Sequence, residues 1–401
     1  MMRHLLKLVW NRKRANALIM LEIFFTFLVV FGVGTLGMYL WDNWRHPLGF
    51  DWKNVWVVQV DMQQQTDDTF TPEQVETTAR LAREVGSLEP VEGVAGAMLS
   101  PYSFGGYRSG MNMNGHYLEM DFDQVSEGFA GVMRLELVKG RWFEPADAVL
   151  SWRPIVIDED LAHEVWGDAG PLGKRLGDPN PKEPEPEMRV IGVVRDFREH
   201  GELSGPGNFR FDYKQLGNPK YRPPRALLAR VRPGTPAAFE EELTRRMQGV
   251  ARDWSFKITP LEQLRQTAFR RTITPLIVGG IVAFFLLLMV ALGLLGVLWQ
   301  NLLQRTREIG LRRAIGASRQ EVHRQIIMEQ LLLTTLGVLL GTIVVVQLPV
   351  LDVFGSALRP SVFVSGLVVA MVSMYVLAAV CALYPSAMAS RVQPAEALRY
   401  E

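Results

Sequence analysis

Four stretches of this chain are apolar for long enough to cross a membrane, and that limits the folds open to it more than any other feature. Residues 18–41 hold one charge, Glu22; residues 276–299, 331–351 and 361–390 hold none. A helix needs about 20 apolar residues to cross a hydrocarbon core about 30 Å thick. With no water in that core, each segment must satisfy its own backbone groups, so all four are expected to be helices. They divide the chain into a tail at 1–16, spans at 17–41, 273–300, 327–351 and 361–385, a long segment at 42–272, a loop at 301–326, a short outer loop at 352–360 and a tail at 386–401.

The basic residues orient these spans. The first tail carries Arg3, Lys7, Arg12, Lys13 and Arg14 with no acid, and the 301–326 loop carries Arg305, Arg307, Arg312, Arg313, Arg319 and Arg324 against Glu308 and Glu321. Short basic segments stay in the cytoplasm, so both termini are expected inside and residues 42–272 outside a bacterial cytoplasmic (inner) membrane. The first span is expected to be retained: its apolar run exceeds the ~7–15 residues of a signal-peptide core and no A-x-A site follows it. It ends instead at Trp41 and Trp44, residues of the kind that sit at a membrane interface. Overall charge is balanced, 43 Lys+Arg against 42 Asp+Glu, which excludes a nucleic-acid partner. The lone cysteine, Cys381, excludes an intrachain disulfide and reads as a small buried hydrophobe.

Within the four apolar runs Glu22 is the one acid, expected either as an interfacial or locally paired carboxylate or in a polar contact between helices or between protomers. Gly337 and Gly341 form a G-x-x-x-G that permits close helix approach.

The outer segment reads as α+β. Strand-like runs at 56–60 and 94–99 flank an amphipathic helix that begins at Thr71-Pro72, and runs at 226–231 and 254–258 flank another that begins at Thr235-Pro236. These two βαβ-like units are expected to form one subdomain, with a second inserted at about 101–223. The insertion holds strands at 154–157 and 188–194, a short helix at 159–166 and exposed loops at 179–186 and 201–207. Asp121 and Asp123, two residues apart, are expected on a solvated strand face.

No catalytic pattern emerges. Gly170-Pro171-Leu172-Gly173-Lys174 lacks the spacing and the Ser/Thr of a phosphate-binding loop, and His163-Glu164 has Gly167 where a zinc protease needs its second histidine. The chain is therefore expected not to be an enzyme and to bind no cofactor or metal; any ATPase would be another chain.

The densest motif is Arg305-Thr306-Arg307-Glu308-Ile309-Gly310-Leu311-Arg312-Arg313-Ala314-Ile315-Gly316-Ala317. By periodicity it is either a short amphipathic helix on the membrane surface that stops at a glycine, or a solvated basic connector held by anionic lipid. The segment resembles the cytoplasmic coupling helix of the MacB/FtsX-like ABC transporter permeases. Glu329 fits the same pattern. So do Pro385, Ala389-Ser390-Arg391 and Pro394-Ala395-Glu396-Ala397-Leu398-Arg399 in the tail, and Lys139-Gly140-Arg141-Trp142-Phe143, Pro171-Leu172-Gly173-Lys174 and Val190-Ile191-Gly192-Val193-Val194-Arg195-Asp196-Phe197 in the outer domain.

The resemblance implies a membrane α-helical protein with four spans and an extracytoplasmic α+β domain of porter-like and Sabre-like subdomains. It implies a complex of two permeases, identical or homologous, with two ATPases carrying ATP-Mg, in which ATPase closure drives the outer domains. Arg307, Glu308, Arg312 and Arg313 would face the ATPase, Gly310 and Gly316 would shape the helix, and Ala317 belongs to the same ATPase-coupling set. MacB itself carries a fused ATPase and this sequence shows none, so the substrate label does not carry over. Three functions stand open: a permease moving a hydrophobic or amphipathic substrate, an FtsX-like regulator acting on a partner such as a cell-wall hydrolase, and a motor-free scaffold.

Overall fold

The computed structural model describes residues 13–62, 70–178, 186–315, 318–351 and 359–390. Its helices are α1 (Lys13–Trp44), α2 (Pro72–Gly86), α3 (Phe129–Met133), α4 (Glu159–Trp166), α5 (Phe239–Val250), α6 (Leu261–Ala314), α7 (Arg319–Val350) and α8 (Pro360–Ser390). The strands are β1 (Val55–Asp61), β2 (Val91–Ala97), β3 (Tyr107–Met113), β4 (His116–Val125), β5 (Leu137–Gly140), β6 (Arg153–Asp158), β7 (Arg175–Leu176), β8 (Met188–Val194), β9 (Phe209–Tyr213), β10 (Ala226–Val231) and β11 (Ser255–Pro260). They form two compact units: Met1–Asp42 with Ile273–Glu401, and Asn43–Thr272.

The first unit is a helical bundle. Stretches of α1, α6, α7 and α8 are each long and apolar enough to cross a membrane. Ile19, Ile23, Phe27 and Phe31 recur every four residues on one face of α1. They are buried in one cluster with Val290 and Leu294 of α6, Val338 and Val345 of α7, and Ala370, Met374 and Ala378 of α8.

Small residues let the other helices close on α1. A Cβ on Gly337 would lie 2.6 Å from Ile23 Cγ2, one on Gly341 would enter the Phe27 ring, and one on Gly366 would meet Thr35. Toward α6, a Cβ on Gly293 would lie 2.8 Å from Glu22 Oε2 and one on Gly279 3.0 Å from Val33 Cγ2. Glu22 therefore lies against the backbone of α6. Gly341→Leu is expected to lower the stability of the detergent-solubilised chain by about 1–3 kcal/mol through overpacking, seen as a fall in its thermal midpoint. Gly296→Ala, whose Cβ would meet nothing within 4 Å, should leave that midpoint unchanged.

The 301–326 segment departs from the expected separate surface helix. The backbone stays helical from Leu261 through Ala314 without a break. Residues 299–309 contain neither glycine nor proline and are mostly good helix formers, so nothing ends the helix where the apolar run ends. The next helix also starts earlier than expected, at Arg319. Ser318 Oγ accepts from the Glu321 N–H (3.2 Å) and Glu321 Oε2 accepts from the Ser318 N–H (2.9 Å), a reciprocal cap.

The second unit is built on one mixed sheet of order β11-β1-β10-β2-β4-β9-β6-β8-β5, with β3 paired to β4 and β7 to β8. The two expected subdomains share it. One half, β11-β1-β10-β2, is antiparallel throughout; the other contains the parallel pairs β4–β9 and β6–β8. They join at β2–β4 through a single pair, Ala97↔Val125.

On one side, α2 and α5 cover the antiparallel half with Leu81, Val85, Phe239, Leu243 and Met247. The α2 start matches the Thr-Pro expectation: Thr71 Oγ1 accepts from the Gln74 N–H (3.2 Å) while Gln74 Oε1 accepts from the Thr71 N–H (2.8 Å). The second Thr-Pro does not cap. Thr235 Oγ1 donates to the Arg232 carbonyl in a turn (2.7 Å), and α5 begins only at Phe239. A local side-chain bond has displaced the capping geometry.

Candidate functional site

The region that can carry function is where α1 and α6 leave the second unit, because buried charge, Arg198 and Glu199, lies there. Leu261 at the start of α6 is fully buried, Ala268 two turns later is also buried, and Leu264 packs beside them. This i, i+3, i+7 stripe joins a core of Val57, Phe129, Phe197, Phe209, Phe211 and Leu228, contributed by both halves of the sheet. The root of α6 is thus part of that core.

The root of α1 is held by polar bonds instead. Arg198, only 4% exposed, follows β8. Its guanidinium donates to the carbonyls of Asn43 (2.7 Å), His46 (3.2 Å), Glu202 (3.0 Å) and Ser204. Asn43 Nδ2 returns a bond to the Leu203 carbonyl (3.1 Å). An arginine keeps its charge here, and its planar fork suits several carbonyls at once.

The same loop reaches α6. Glu202 pairs with Arg265 at 2.5 Å, and the Arg265 guanidinium stacks 4.6 Å from the Trp52 ring. It also reaches the β2–β3 connection, where the Tyr102 N–H donates to the Glu199 carbonyl (2.8 Å) and the Tyr102 ring packs against Phe50. Gly201, at φ +98°, gives the loop a left-handed turn against the Tyr102 ring that a side chain would obstruct. Residues 198–204 therefore link the end of α1, the start of α6 and the junction between the sheet halves. The sequence reading of 201–207 as an exposed loop is corrected here: Gly201 and Leu203 are buried, and exposure begins at Pro206.

Beside this loop lies a buried ionisable group of three. Asp123, expected on a solvated face, is 3% exposed and accepts from the N–H groups of Met98 (3.2 Å), Leu99 (3.4 Å) and Gln124 (2.7 Å). Strand alternation placed it on the side with Asp121, but the 98–99 segment folds over it. Asp121 pairs with Arg108 at 2.8 Å nearer the surface. Burial pushes the Asp123 carboxyl up to about 8 against the pull of those donors. Burial, with Asp123 and Asp121 nearby, pushes Glu199 up to about 9. Burial lowers Lys214 to about 8 although Asp123 opposes the shift. Its ammonium lies 3.1 Å from Gln124 Oε1.

The outer motifs singled out in the sequence prove to be packing devices. Gly140 and Gly192 let β5 and β8 approach: a Cβ on Gly192 would run into the Arg141 carbonyl. Arg141 pairs with the buried Asp147 at 2.6 Å, Trp142 meets Phe211 edge-on, and Phe143 stacks on Tyr213. Of the residues expected to couple to an ATPase, Arg307, Glu308, Gly310, Arg312 and Arg313 lie on the last turns of α6, while Gly316 and Ala317 lie outside the described residues. Gly337 and Gly341 meet α1, and Glu22 meets α6. Arg198, Glu199, Glu202 and Arg265 were missed. The one sequence signal of the first three is the charge density of Arg198-Glu199-His200-Gly201-Glu202, which does not distinguish a buried clamp from a solvated turn.

Comparison with known proteins bears on the whole chain. The MacB-like periplasmic core domain matches residues 17–246, more than half of the sequence, and the FtsX-like permease C-terminal domain matches residues 280–394. The chain belongs to the MacB/FtsX-like family of ABC transporter permeases. It is a membrane protein with an extracytoplasmic α+β domain.

The macrolide export ATP-binding/permease protein MacB of Bordetella avium (strain 197N) is 26% identical over 290 residues, covering 69% of this chain and 42% of that protein. This chain thus spans less than half the length of that relative. The ABC transporter permease YknZ of Bacillus subtilis (strain 168) is 22% identical over 337 residues, 79% of this chain and 78% of the relative. Among solved structures, the periplasmic region of MacB from Actinobacillus actinomycetemcomitans aligns over 55% of this chain and 94% of its own length, at 15% identity and a TM-score of 0.37.

Proposed function

We propose that this chain is the membrane subunit of an ABC transporter, coupling ATP hydrolysis on a separate ATPase chain to movement of its extracytoplasmic domain. The observation that carries the reading is the 198–204 loop, which binds the root of α1 through Arg198 and that of α6 through Glu202. Force arriving along either helix meets a hydrogen-bonded and ion-paired anchor inside a shared core, and such an anchor transmits displacement without binding substrate.

In this reading Arg307, Glu308, Arg312 and Arg313 face the ATPase, and ATP-Mg belongs to that partner. A second permease, identical or homologous, completes the complex in the bacterial cytoplasmic membrane, with both termini inside. The substrate is hydrophobic or amphipathic and is exported or extracted. That class is supported by the names of relatives, a macrolide exporter and a probable syringafactin exporter of Pseudomonas syringae.

The test is affinity purification of the full chain from native membranes, with mass spectrometry of what co-purifies. A stoichiometric ATPase is expected, and Glu308→Lys or Arg312→Glu should lose it while the chain remains folded. A folded, unsubstituted chain with which no ATPase co-purifies would overturn the reading in favour of a scaffold. A co-purifying cell-wall hydrolase would favour the regulatory role.

A further inference from the structure

Phe104 is 86% exposed, and it is not an isolated apolar side chain. Its loop is well held on one side: Tyr102 is 2% exposed, and the Ser103 N–H donates to the Ser100 carbonyl (3.2 Å). Beyond Phe104 the loop projects outward, since a Cβ on Gly105 would meet nothing within 4 Å. The Arg271 guanidinium lies 4.8 Å from the Phe104 ring. Two residues earlier on the same helix, Phe269 is 36% exposed and meets Trp44, the last residue of α1, which is 46% exposed, at 5.9 Å between ring centroids. Arg45 and Arg270, both exposed, complete the set.

The directions of these groups decide what they fit. Phe269 and Arg271 are about 200° apart around α6 but only about 3 Å apart along it. Trp44 with Phe269, and Phe104 with Arg271, therefore lie on opposite sides of the helix at one level. A protein partner touches one face of a helix; a flat slab touches every face at one height. The level is also right, because the uncharged run of α6 begins at Thr272, the residue after Arg271. Aromatic rings at the acyl boundary with cationic heads reaching anionic headgroups are what such a level requires.

We infer that Phe104, Arg271, Trp44 and Phe269 form a collar resting on the bilayer leaflet nearest the domain, with the 103–106 loop dipping its phenyl ring into the boundary between headgroups and acyl chains. The loop is more than 150 residues from α6 in sequence, so this gives the second unit a membrane contact of its own besides the two helices that connect it. The attraction combines burial of an otherwise hydrated ring with charge complementarity between Arg270, Arg271 and anionic lipid.

The test uses the full chain with Cys381→Ala, in nanodiscs of phosphatidylethanolamine and phosphatidylglycerol, carrying a nitroxide at Phe104→Cys or, as a control, at Val149→Cys, a position 87% exposed. Collision rates with oxygen and with a water-soluble nickel chelate report depth. The ratio of oxygen to nickel collisions is expected to be several-fold higher at position 104 than at 149, and Arg271→Glu should move the 104 value at least halfway to the control. A label at 104 as open to nickel as that at 149 would overturn the proposal. So would one shielded from both reagents, which would show a protein contact, or a ratio unmoved by Arg271→Glu.

Discussion

Replacing Arg198 with methionine should cost the outer domain about 3–5 kcal/mol and release the root of α1. Methionine keeps the apolar stem and removes the guanidinium, so the main loss is of its hydrogen bonds. The carbonyls of Asn43, His46, Glu202 and Ser204 each lose a charged donor in a site that is 4% exposed. A buried polar group left unsatisfied costs about 1–3 kcal/mol, with less than full additivity among neighbours. Hydrogen exchange on the full chain is the suitable readout, because a protein of two units need not unfold in one step. Peptides covering 43–50 and 198–204 should lose protection together, although they are 150 residues apart. Arg198→Lys should recover only part of it, since an ammonium cannot span four carbonyls in a plane. Unchanged protection at 43–50 in Arg198→Met would show that the loop does not hold that root.

The second large effect is a dependence on pH. Glu199 and Asp123 have folded-state values near 9 and 8, far above their ordinary 4.5 and 3.8. A raised acid binds its proton more tightly folded than unfolded. Its contribution is complete below the unfolded value and is lost as pH rises through the folded one. Lys214, lowered to about 8, has the opposite sign, but its contribution changes only between about 8 and its ordinary 10.5, so it does not offset the acids at neutral pH. Between pH 5 and 8 the two carboxyls therefore act together, with an upper limit of about 1.4 kcal/mol per unit for each.

Exchange protection at 98–102 and 196–204, corrected for the intrinsic rate, should fall steadily over that range. Glu199→Gln should flatten the dependence by about half, because an amide holds the same space without a charge to ionise. A wild-type profile independent of pH would mean that both carboxyls stay in one protonation state throughout.

The sequence carried some of this fold and not the rest, for physical reasons that differ by element. The spans are legible because lipid demands continuous apolarity, and β6, β8 and β10 because buried strands are short and apolar. The α2 start is legible because Thr71 stands before a proline at the first helical position and its hydroxyl meets the Gln74 N–H. Thr235 carries the same dipeptide and does not cap, since a turn bond to Arg232 competes with it. Asp123 was misread because burial from above by 98–99 comes from a segment outside its own strand pattern. The continuity of α6 through Ala314 was missed because a change in polarity was taken for a change in backbone. The 198–204 clamp could not be read at all: its partners lie 60 to 160 residues away, and charge in a loop looks alike whether water or carbonyls receive it.

The packing of the bundle on α1 has a consequence for how the chain is made. Gly293, Gly337, Gly341 and Gly366 all shape surfaces that fit α1, yet α1 emerges first and these helices last. Between them come the 230 residues of Asn43–Thr272, which take about 10–50 s to translate at about 5–20 residues per second. For that interval the first helix must wait in the bilayer, its Glu22, Thr26 and Thr35 facing lipid instead of their later neighbours. A nascent chain stopped before Gly366 leaves that wait unfinished, and a membrane quality-control protease would meet in it a first helix whose apolar run carries an acid and has not yet found all its partners.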